Sequence, residues 1–222
     1  MKCILFGGTG EVGGAVARAL VNSESCSRLT TIGRRQVDAI RDEAKVQQVV
    51  VDTNAANLEE VVKENARGHD VAICCIGFGS GTARMTEAQM LEIEVELVGK
   101  FARGCKAAGI EVFELLTAVG VDERSTNSRI KYLRVLGKKL NTVREVGFEK
   151  LAVFKPGTIV GNAHTPGWIT PFTGLIPDAL GWGNIQQDEL ARAFVAHLEK
   201  GVAEQTDPVV YYGNNDMKRL IQ

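Results

Sequence analysis

The chain alternates short apolar runs with longer segments whose apolar residues recur every three or four positions. The short runs are typical of parallel strands buried on both faces, and the longer segments predict amphipathic helices. Strands are predicted at about 2–6, 29–33, 46–51, 71–76, 112–117, 151–154 and 208–212. Helices are predicted at about 11–22, after Thr53 or Asn54, at 86–108, at 128–146 and from Asp188 onward. This alternation predicts an α/β fold with a Rossmann-type doubly wound parallel sheet.

The whole chain, residues 1–222, is predicted to form one domain. Its composition changes between Pro156 and Gly183, a stretch that holds four of the five prolines and both tryptophans. We interpret residues 156–187 as a small loop-rich lobe toward the carboxyl end. Trp168, Phe172 and Trp182 either line a substrate pocket or form the core of this lobe. The large area that aromatic rings bury favours the core.

A glycine-rich turn, Gly7-Gly-Thr-Gly-Glu-Val-Gly13, lies between the first strand and the first helix. Glycines let the backbone turn sharply and approach a ligand, and the start of the helix attracts phosphate. The alternative is a plain strand-to-helix turn, but a turn in this context favours dinucleotide binding. The predicted binding residues of this turn are Gly7, Thr9, Gly10, Glu11, Val12 and Gly13.

The other predicted binding residues follow later strands, because ligands of a doubly wound sheet bind beyond the carboxyl ends of its strands. They are Asp52, Thr53, Ile76, Gly77, Pro156 and Gly157. Asp52 accepts a hydrogen bond from the adenine amino group or caps the next helix; the sequence leaves both open.

Two arginines, Arg34 and Arg35, end the second strand, where an NAD site usually has an acidic residue. Paired guanidinium groups favour the 2′-phosphate of NADP(H), through charge-assisted, forked hydrogen bonds. Two solvated charges on a loop are the alternative. With the glycine turn upstream, we expect NADP(H) as the cofactor.

Composition gives no reason to expect several kinds of partner, segment or site. The net charge is −1 and the pI is about 6.3, so no nucleic-acid or membrane partner is expected. The apolar runs are of strand length, and the first strand begins at Lys2, so no spanning or leader segment is expected. The five cysteines show no metal-ligand spacing, so no metal site is expected, and free thiols suggest the cytoplasm.

Seven short motifs are spread along nearly the whole chain. They are Gly7-Gly-Thr-Gly-Glu-Val-Gly13, Ile32-Gly-Arg-Arg35, Gly68-His-Asp-Val71, Cys74-Cys-Ile-Gly77, Glu114-Leu-Leu-Thr117, Phe154-Lys-Pro-Gly157 and Leu175-Ile-Pro-Asp178. Together they resemble the atypical short-chain dehydrogenase/reductases, in the Tat-interacting-protein-like branch beside the NmrA-like proteins. The resemblance implies a Rossmann fold that binds NADP(H). That branch contains regulators as well as reductase-like proteins.

The resemblance also implies candidate catalytic residues. Enzymes of the family use a tyrosine, a lysine four residues later, and a serine or threonine after the fifth strand. Tyr132 and Thr117 stand at two of these positions, but Leu136 replaces the lysine. Lys139 lies about 10 Å further along the helix from Tyr132, at 1.5 Å per residue. Without a nearby cation, Tyr132 is expected to keep a pKa near 10, poorly matched to proton transfer at neutral pH.

Two functions follow as hypotheses. One is an NADPH-dependent reductase of a small carbonyl compound, with Tyr132 as the acid and Thr117 orienting the substrate. The other is a catalytically impaired NADP(H)-binding regulator or sensor that acts through a protein partner. Tyr132 could also be a tyrosine packed at the groove wall. Glu92, Glu94 and Glu96 are interpreted as a solvated helix face.

Overall fold

The computed structural model describes residues 1–78, 85–161 and 183–222. Its strands are β1 (Lys2–Phe6), β2 (Arg28–Gly33), β3 (Val46–Val50), β4 (Val71–Cys74), β5 (Val112–Leu116), β6 (Lys150–Phe154), β7 (Thr158–Val160), β8 (Asn184–Gln186) and β9 (Val209–Tyr212). Its helices are α1 (Glu11–Asn22), α2 (Leu58–Ala66), α3 (Glu87–Leu91), α4 (Val98–Ala107), α5 (Lys131–Glu145), α6 (Gln187–Ala196), α7 (Val202–Glu204) and α8 (Asn214–Leu220).

Four short helical segments connect or precede these helices. A π-helical segment, Glu92–Leu97, joins α3 to α4, and a second one, His197–Gly201, joins α6 to α7. Single 3₁₀ turns cover Asp38–Ile40 and Glu123–Asn127. None of the helices in the described ranges has the length and apolar character needed to cross a membrane.

The described part of the chain contains one seven-stranded sheet, in the order β3-β2-β1-β4-β5-β6-β9, and every neighbouring pair in it is parallel. Strand β1 pairs with β2 on one side and β4 on the other, so the strand order reverses at β1. This is the switch point at which a doubly wound sheet opens a ligand crevice. The predicted Rossmann-type fold is therefore confirmed, and β9 lies at the sheet edge, as Pro208 suggested.

Each face of the sheet carries its own apolar core. Helices α1 and α6 cover one face, where Phe154 stacks on Phe194 with ring centroids 3.9 Å apart. Helices α2, α4 and α5 cover the other, where Phe6 stacks on Phe101 at 4.9 Å. Burial on both faces explains why the central strands are continuous apolar runs.

Several local predictions were wrong. Helix α2 begins at Leu58, well after Thr53 and Asn54, and Asn57 occupies its N-cap position without a side-chain cap. Helix α5 begins at Lys131 rather than near residue 128, and the helix α8 was missed. Within the predicted loop-rich lobe, β7 and β8 pair as a short parallel ribbon.

Some predictions fall on residues that the structure does not describe. Residues 162–182, the interior of the predicted lobe, lie outside the described ranges, as do residues 79–84. The roles considered for Trp168, Phe172 and Trp182, and the Leu175-Ile-Pro-Asp178 motif, therefore stay predictions.

Candidate functional site

A groove with a volume of about 580 Å³ lies at the carboxyl ends of β1, β2 and β4. The glycine turn after β1 forms its middle, with Gly7, Thr9 and Gly10 among the lining residues. One end is formed by Gly33, Arg34, Arg35, Thr53 and Asn54, and the other end by residues 75–78. The facing wall consists of Glu92, Ile93, Glu96, Leu97 and Lys100. The switch point of the sheet therefore opens into a cleft that extends from the end of β2 to the end of β4.

The glycine turn packs so closely that side chains are excluded at two positions. Gly7 has a φ of +91°, and a Cβ there would lie 2.8 Å from the backbone of Cys75. A Cβ on Gly13 would lie 2.1 Å from the carbonyl oxygen of Gly7. This packing holds the first turn of α1 directly beneath the turn, so that its amide groups are available to a phosphate. The cradle fits the pyrophosphate of a dinucleotide.

The remaining residues predicted in this turn lie around the cradle. Glu11 borders a neighbouring groove of about 680 Å³, which also contains Thr9, Gly10 and Arg35. Val12 and Gly13 are not among the described lining residues of the main groove. The turn thus exposes Thr9 and Gly10 to a ligand while Gly13 is buried behind them.

Both arginines of the second strand end are exposed and line the groove. Among the described residues, neither Arg34 nor Arg35 makes an ion pair or a side-chain hydrogen bond. The carboxylates that line the groove, Glu92 and Glu96, lie on the facing helix together with Lys100. The groove is therefore cationic where β2 ends, and the two arginines there are free to bind an anion.

Asp52 is exposed and is not among the described lining residues of the groove, although its neighbour Thr53 is. Its Oδ1 accepts a hydrogen bond from the Asn54 amide at 2.9 Å. The helix-cap interpretation of Asp52 was wrong. Its hydrogen bond closes the turn after β3, whereas α2 begins only at Leu58 and has Asn57 at its N-cap position.

Of the other predicted cofactor residues, two line the groove and two lie in a hydrogen-bonded loop outside its described lining. Ile76 and Gly77 line the groove. Pro156 and Gly157 are not among its described lining residues: the Pro156 carbonyl accepts from the Val119 amide at 2.9 Å, and the Gly157 amide donates to Asn214 Oδ1 at 3.0 Å. These bonds tie the loop after β6 to the loop after β5 and to α8.

Thr117 and Tyr132 lie outside the set of described residues that line the groove. Thr117 is buried, and its hydroxyl donates to the Phe154 carbonyl at 3.2 Å. Tyr132 lies in the first turn of α5 and is 36% exposed. Burial of part of the ring raises the pKa of Tyr132, the Glu94 carboxylate raises it further, and Lys139 opposes both. The tyrosine is therefore a weaker acid than a free one.

Leu136, at the position of the family lysine, is only 2% exposed and belongs to the apolar core between α5 and the sheet. The position is part of the packing rather than of the groove. No charge can be supplied to Tyr132 from here.

A lysine and a glutamate form a buried ion pair behind the end of the groove that residues 75–78 form. Lys139 Nζ lies 2.8 Å from Glu94 Oε2, and both side chains are 1% exposed. Lys139 also donates to the Ile76 carbonyl at 2.6 Å, and Glu94 Oε1 accepts from the Phe78 amide at 3.2 Å. Burial opposes the charge of Lys139, but Glu94 outweighs it, so the pKa of Lys139 is raised.

This pair corrects the prediction that Glu94 lies on a solvated face. Glu94 belongs to the π-helical segment and lies four residues from both Met90 and Val98, on the buried face of the helix. A signal for Lys139 was present in the sequence, because Leu136, Leu140 and Val143 place it on the apolar stripe of α5.

The described residues contain no group of three His, Cys, Asp or Glu side chains that could hold a metal ion. All five cysteines are free and buried.

Comparison with known proteins gives a consistent family. The NAD(P)H-binding family matches residues 7–148 of the chain. Protein HTATIP2 of Rattus norvegicus is 33% identical over 182 residues, 79% of this chain and 71% of that protein. The mitochondrial protein FMP52 of Debaryomyces hansenii is 30% identical over 162 residues, 73% of this chain and 68% of that protein.

Solved structures agree with the fold. The oxidoreductase ylbE from Lactococcus lactis superposes with a TM-score of 0.70 and 17% identity, covering 100% of this chain and 97% of that one. The structure named "Putative NAD-dependent epimerase/dehydratase from Bacillus halodurans" superposes with a TM-score of 0.71 and 15% identity, covering 100% of this chain and 98% of that one. At these identities the likeness supports the fold alone.

The relatives contradict one expectation. FMP52 proteins from several fungi, among them Debaryomyces hansenii and Candida albicans, are named as mitochondrial. The cytoplasmic location expected from the free cysteines is therefore wrong on this comparison. Unpaired thiols are a property of the residues and do not by themselves identify one compartment.

Proposed function

We propose that this chain, which belongs to the NAD(P)H-binding atypical short-chain dehydrogenase/reductase family, is an NADP(H)-binding protein with impaired proton transfer. The observation that carries the proposal is the groove itself. It has a glycine cradle in the middle and, at one end, two arginines that have no partner among the described residues.

The cofactor preference rests on charge. A 2′-phosphate is a dianion, and the guanidinium groups of Arg34 and Arg35 offer forked N–H donors. No described side chain accepts a hydrogen bond from them, so they can bind the phosphate. In an NAD site an acidic residue at this strand end would bind the ribose hydroxyl and repel the extra phosphate. Here the carboxylates Glu92 and Glu96 lie on the opposite wall. The strand end therefore favours NADP(H) over NAD(H).

The bound cofactor would supply or accept a hydride. Tyr132 is the acid or base that this chain offers, but its raised pKa makes it a poor proton donor near neutral pH. The nearby cation, Lys139, is paired with Glu94, and Leu136 is apolar. These three features favour a regulator or sensor that acts through a protein partner over an efficient reductase.

A reductase of a small carbonyl compound is the second candidate. Tyr132 favours it, because its ring is partly exposed and Lys139 counters part of the upward shift in its pKa. Thr117 would support Tyr132 only if its hydroxyl left the Phe154 carbonyl.

Binding and turnover are tested together. Purified protein is titrated with NADPH while nicotinamide fluorescence is followed, and NADPH consumption is then measured with a panel of aldehydes, ketones and quinones. The proposal predicts saturable binding and no turnover that depends on Tyr132. Tyr132→Phe is the matched variant, since it removes only the hydroxyl. Turnover in the wild type that is lost in Tyr132→Phe would establish the reductase instead.

A further inference from the structure

The Glu94–Lys139 ion pair lies directly behind one end of the groove. It contacts the backbone of residues 76–78, the groove wall that follows β4. Lys139 Nζ donates to the carbonyl at the start of this wall, and Glu94 accepts from the amide at its end. Two side chains from different helical segments thus hold both ends of a three-residue wall.

Stability alone does not account for such a pair. Taking two charges out of water costs several kcal/mol per ion, and an apolar pair of similar volume is often equally stable or more stable. The pair does, however, satisfy two backbone groups in a defined geometry. Glu94 belongs to a π-helical segment, and π-helical turns occur frequently at functional sites.

The wall lies at the end of the groove away from the arginines. Arg34 and Arg35 border one end, the glycine cradle lies in the middle, and residues 76–78 border the other end. A dinucleotide that places its 2′-phosphate on the arginines and its pyrophosphate on the cradle therefore directs its nicotinamide half to this wall.

We propose that Glu94 and Lys139 are positioning residues that fix residues 76–78 against the nicotinamide half of the cofactor. This inference rests on the proposed NADP(H) binding. The wall has no regular secondary structure of its own, since β4 ends at Cys74. Its position is therefore set by the hydrogen bonds that it makes, and two of these come from the ion pair.

The test replaces both charges at once, because a single substitution would leave an unpaired charge in the core. Glu94→Leu/Lys139→Met keeps the volume of both side chains and removes both hydrogen bonds to the wall. Binding is measured by calorimetry with two probes, NADPH and 2′,5′-ADP, which contains the adenosine half alone. We expect about tenfold weaker NADPH binding and 2′,5′-ADP binding within about twofold of the wild type.

The control is a second ion pair of α5, made with α3 immediately before the π-helical segment, that does not touch the wall. Arg134 Nε of α5 donates to Glu87 Oε1 of α3 at 3.0 Å, and both side chains lie nearer the surface. Glu87→Gln/Arg134→Gln should leave both affinities unchanged. The thermal midpoint of each variant is measured in parallel to establish that it is folded.

The outcomes separate the inference from the proposed function. Equal NADPH affinity in the pair variant and the wild type overturns the positioning role. An equal fall for NADPH and 2′,5′-ADP also overturns it, since the pair would then support the whole groove. Absence of NADPH and NADH binding by the wild type would contradict the cofactor proposal itself.

Discussion

The sheet carries a buried acid–base pair on each face, and the two pairs differ in what they contact. On one face Lys139 and Glu94 bind the backbone of the groove wall. On the other face His197 Nδ1 lies 2.7 Å from Glu114 Oε1, and both side chains are fully buried. The rings of Phe154 and Tyr212 surround His197, and its Nε2 lies 3.3 Å from Gln205 Oε1.

The two pairs also differ in charge. Glu94 outweighs the cost of burying Lys139, so the lysine stays charged over the whole neutral range. Burial raises the pKa of Glu114 to about 7, although His197 lowers it, and Glu114 Oε2 has no hydrogen-bond partner in the described part of the chain. Lys139, which binds a backbone carbonyl, thus keeps its charge, whereas the Glu114 carboxyl on the other face has a pKa close to neutral pH.

The largest expected effect is on the free energy of unfolding, which should fall by different amounts when each of the two pairs is broken. Lys139→Met leaves Glu94 buried without its cation and removes the hydrogen bond to the Ile76 carbonyl, so we expect a loss of about 5 kcal/mol. His197→Leu leaves a Glu114 carboxyl that is neutral at pH 6, and the expected loss is about 2 kcal/mol. Urea unfolding at pH 6 measures both. Equal losses would remove the distinction between the pairs.

A second charge placed beside the first pair should be costly as well. Leu136→Lys introduces the lysine of the family motif into an apolar core position, and we expect a loss of about 4 kcal/mol. Because the position is buried, we expect no gain in NADPH consumption with carbonyl compounds. Leu136→Met, which keeps size and polarity, is the control for stability. A folded Leu136→Lys protein that gains turnover would show that this position can act on the groove.

The pair on the other face should respond to pH. Between pH 4.5 and about 7 the unfolded chain loses the Glu114 proton while the folded chain retains it, so unfolding releases a proton. Stability from this group is therefore full below pH 4.5 and falls by about 3 kcal/mol as pH rises to about 7. Glu114→Gln should flatten this part of the profile. Denaturant unfolding across pH 4–8 measures it, and parallel wild-type and variant profiles would contradict the assignment.

These differences show where sequence patterns were sufficient. Strand and helix periodicity predicted the parallel sheet, and the glycine spacing located the cradle, because both depend on local backbone requirements. The ion pair could not be read in full. At 3.6 residues per turn Glu94 lies on the face of the buried Met90 and Val98, four residues from each, but its charge favoured the interpretation as a solvated residue. Lys139 also lies on the apolar stripe of its helix, α5, but neither stripe identifies the other residue as its partner.

The candidate catalytic residues show a limit of motif matching. Tyr132 and Thr117 match motif positions, yet their environments depend on contacts distant in sequence. The Thr117 hydroxyl is bound by the Phe154 carbonyl, 37 positions away, and Tyr132 is influenced by Glu94. A motif identifies candidate residues, but long-range packing determines their hydrogen bonds and pKa values.

The smallest expected effect concerns cofactor choice, and its measurement is the most direct test of NADP(H) binding in this groove. NADPH and NADH are titrated into the wild type and into Arg34→Ala/Arg35→Ala. The wild type should prefer NADPH by at least about tenfold, and the variant should lose this preference while its NADH affinity stays close to the wild-type value. The same preference in both proteins, or a flat isotherm for both nucleotides with the wild type, would contradict it.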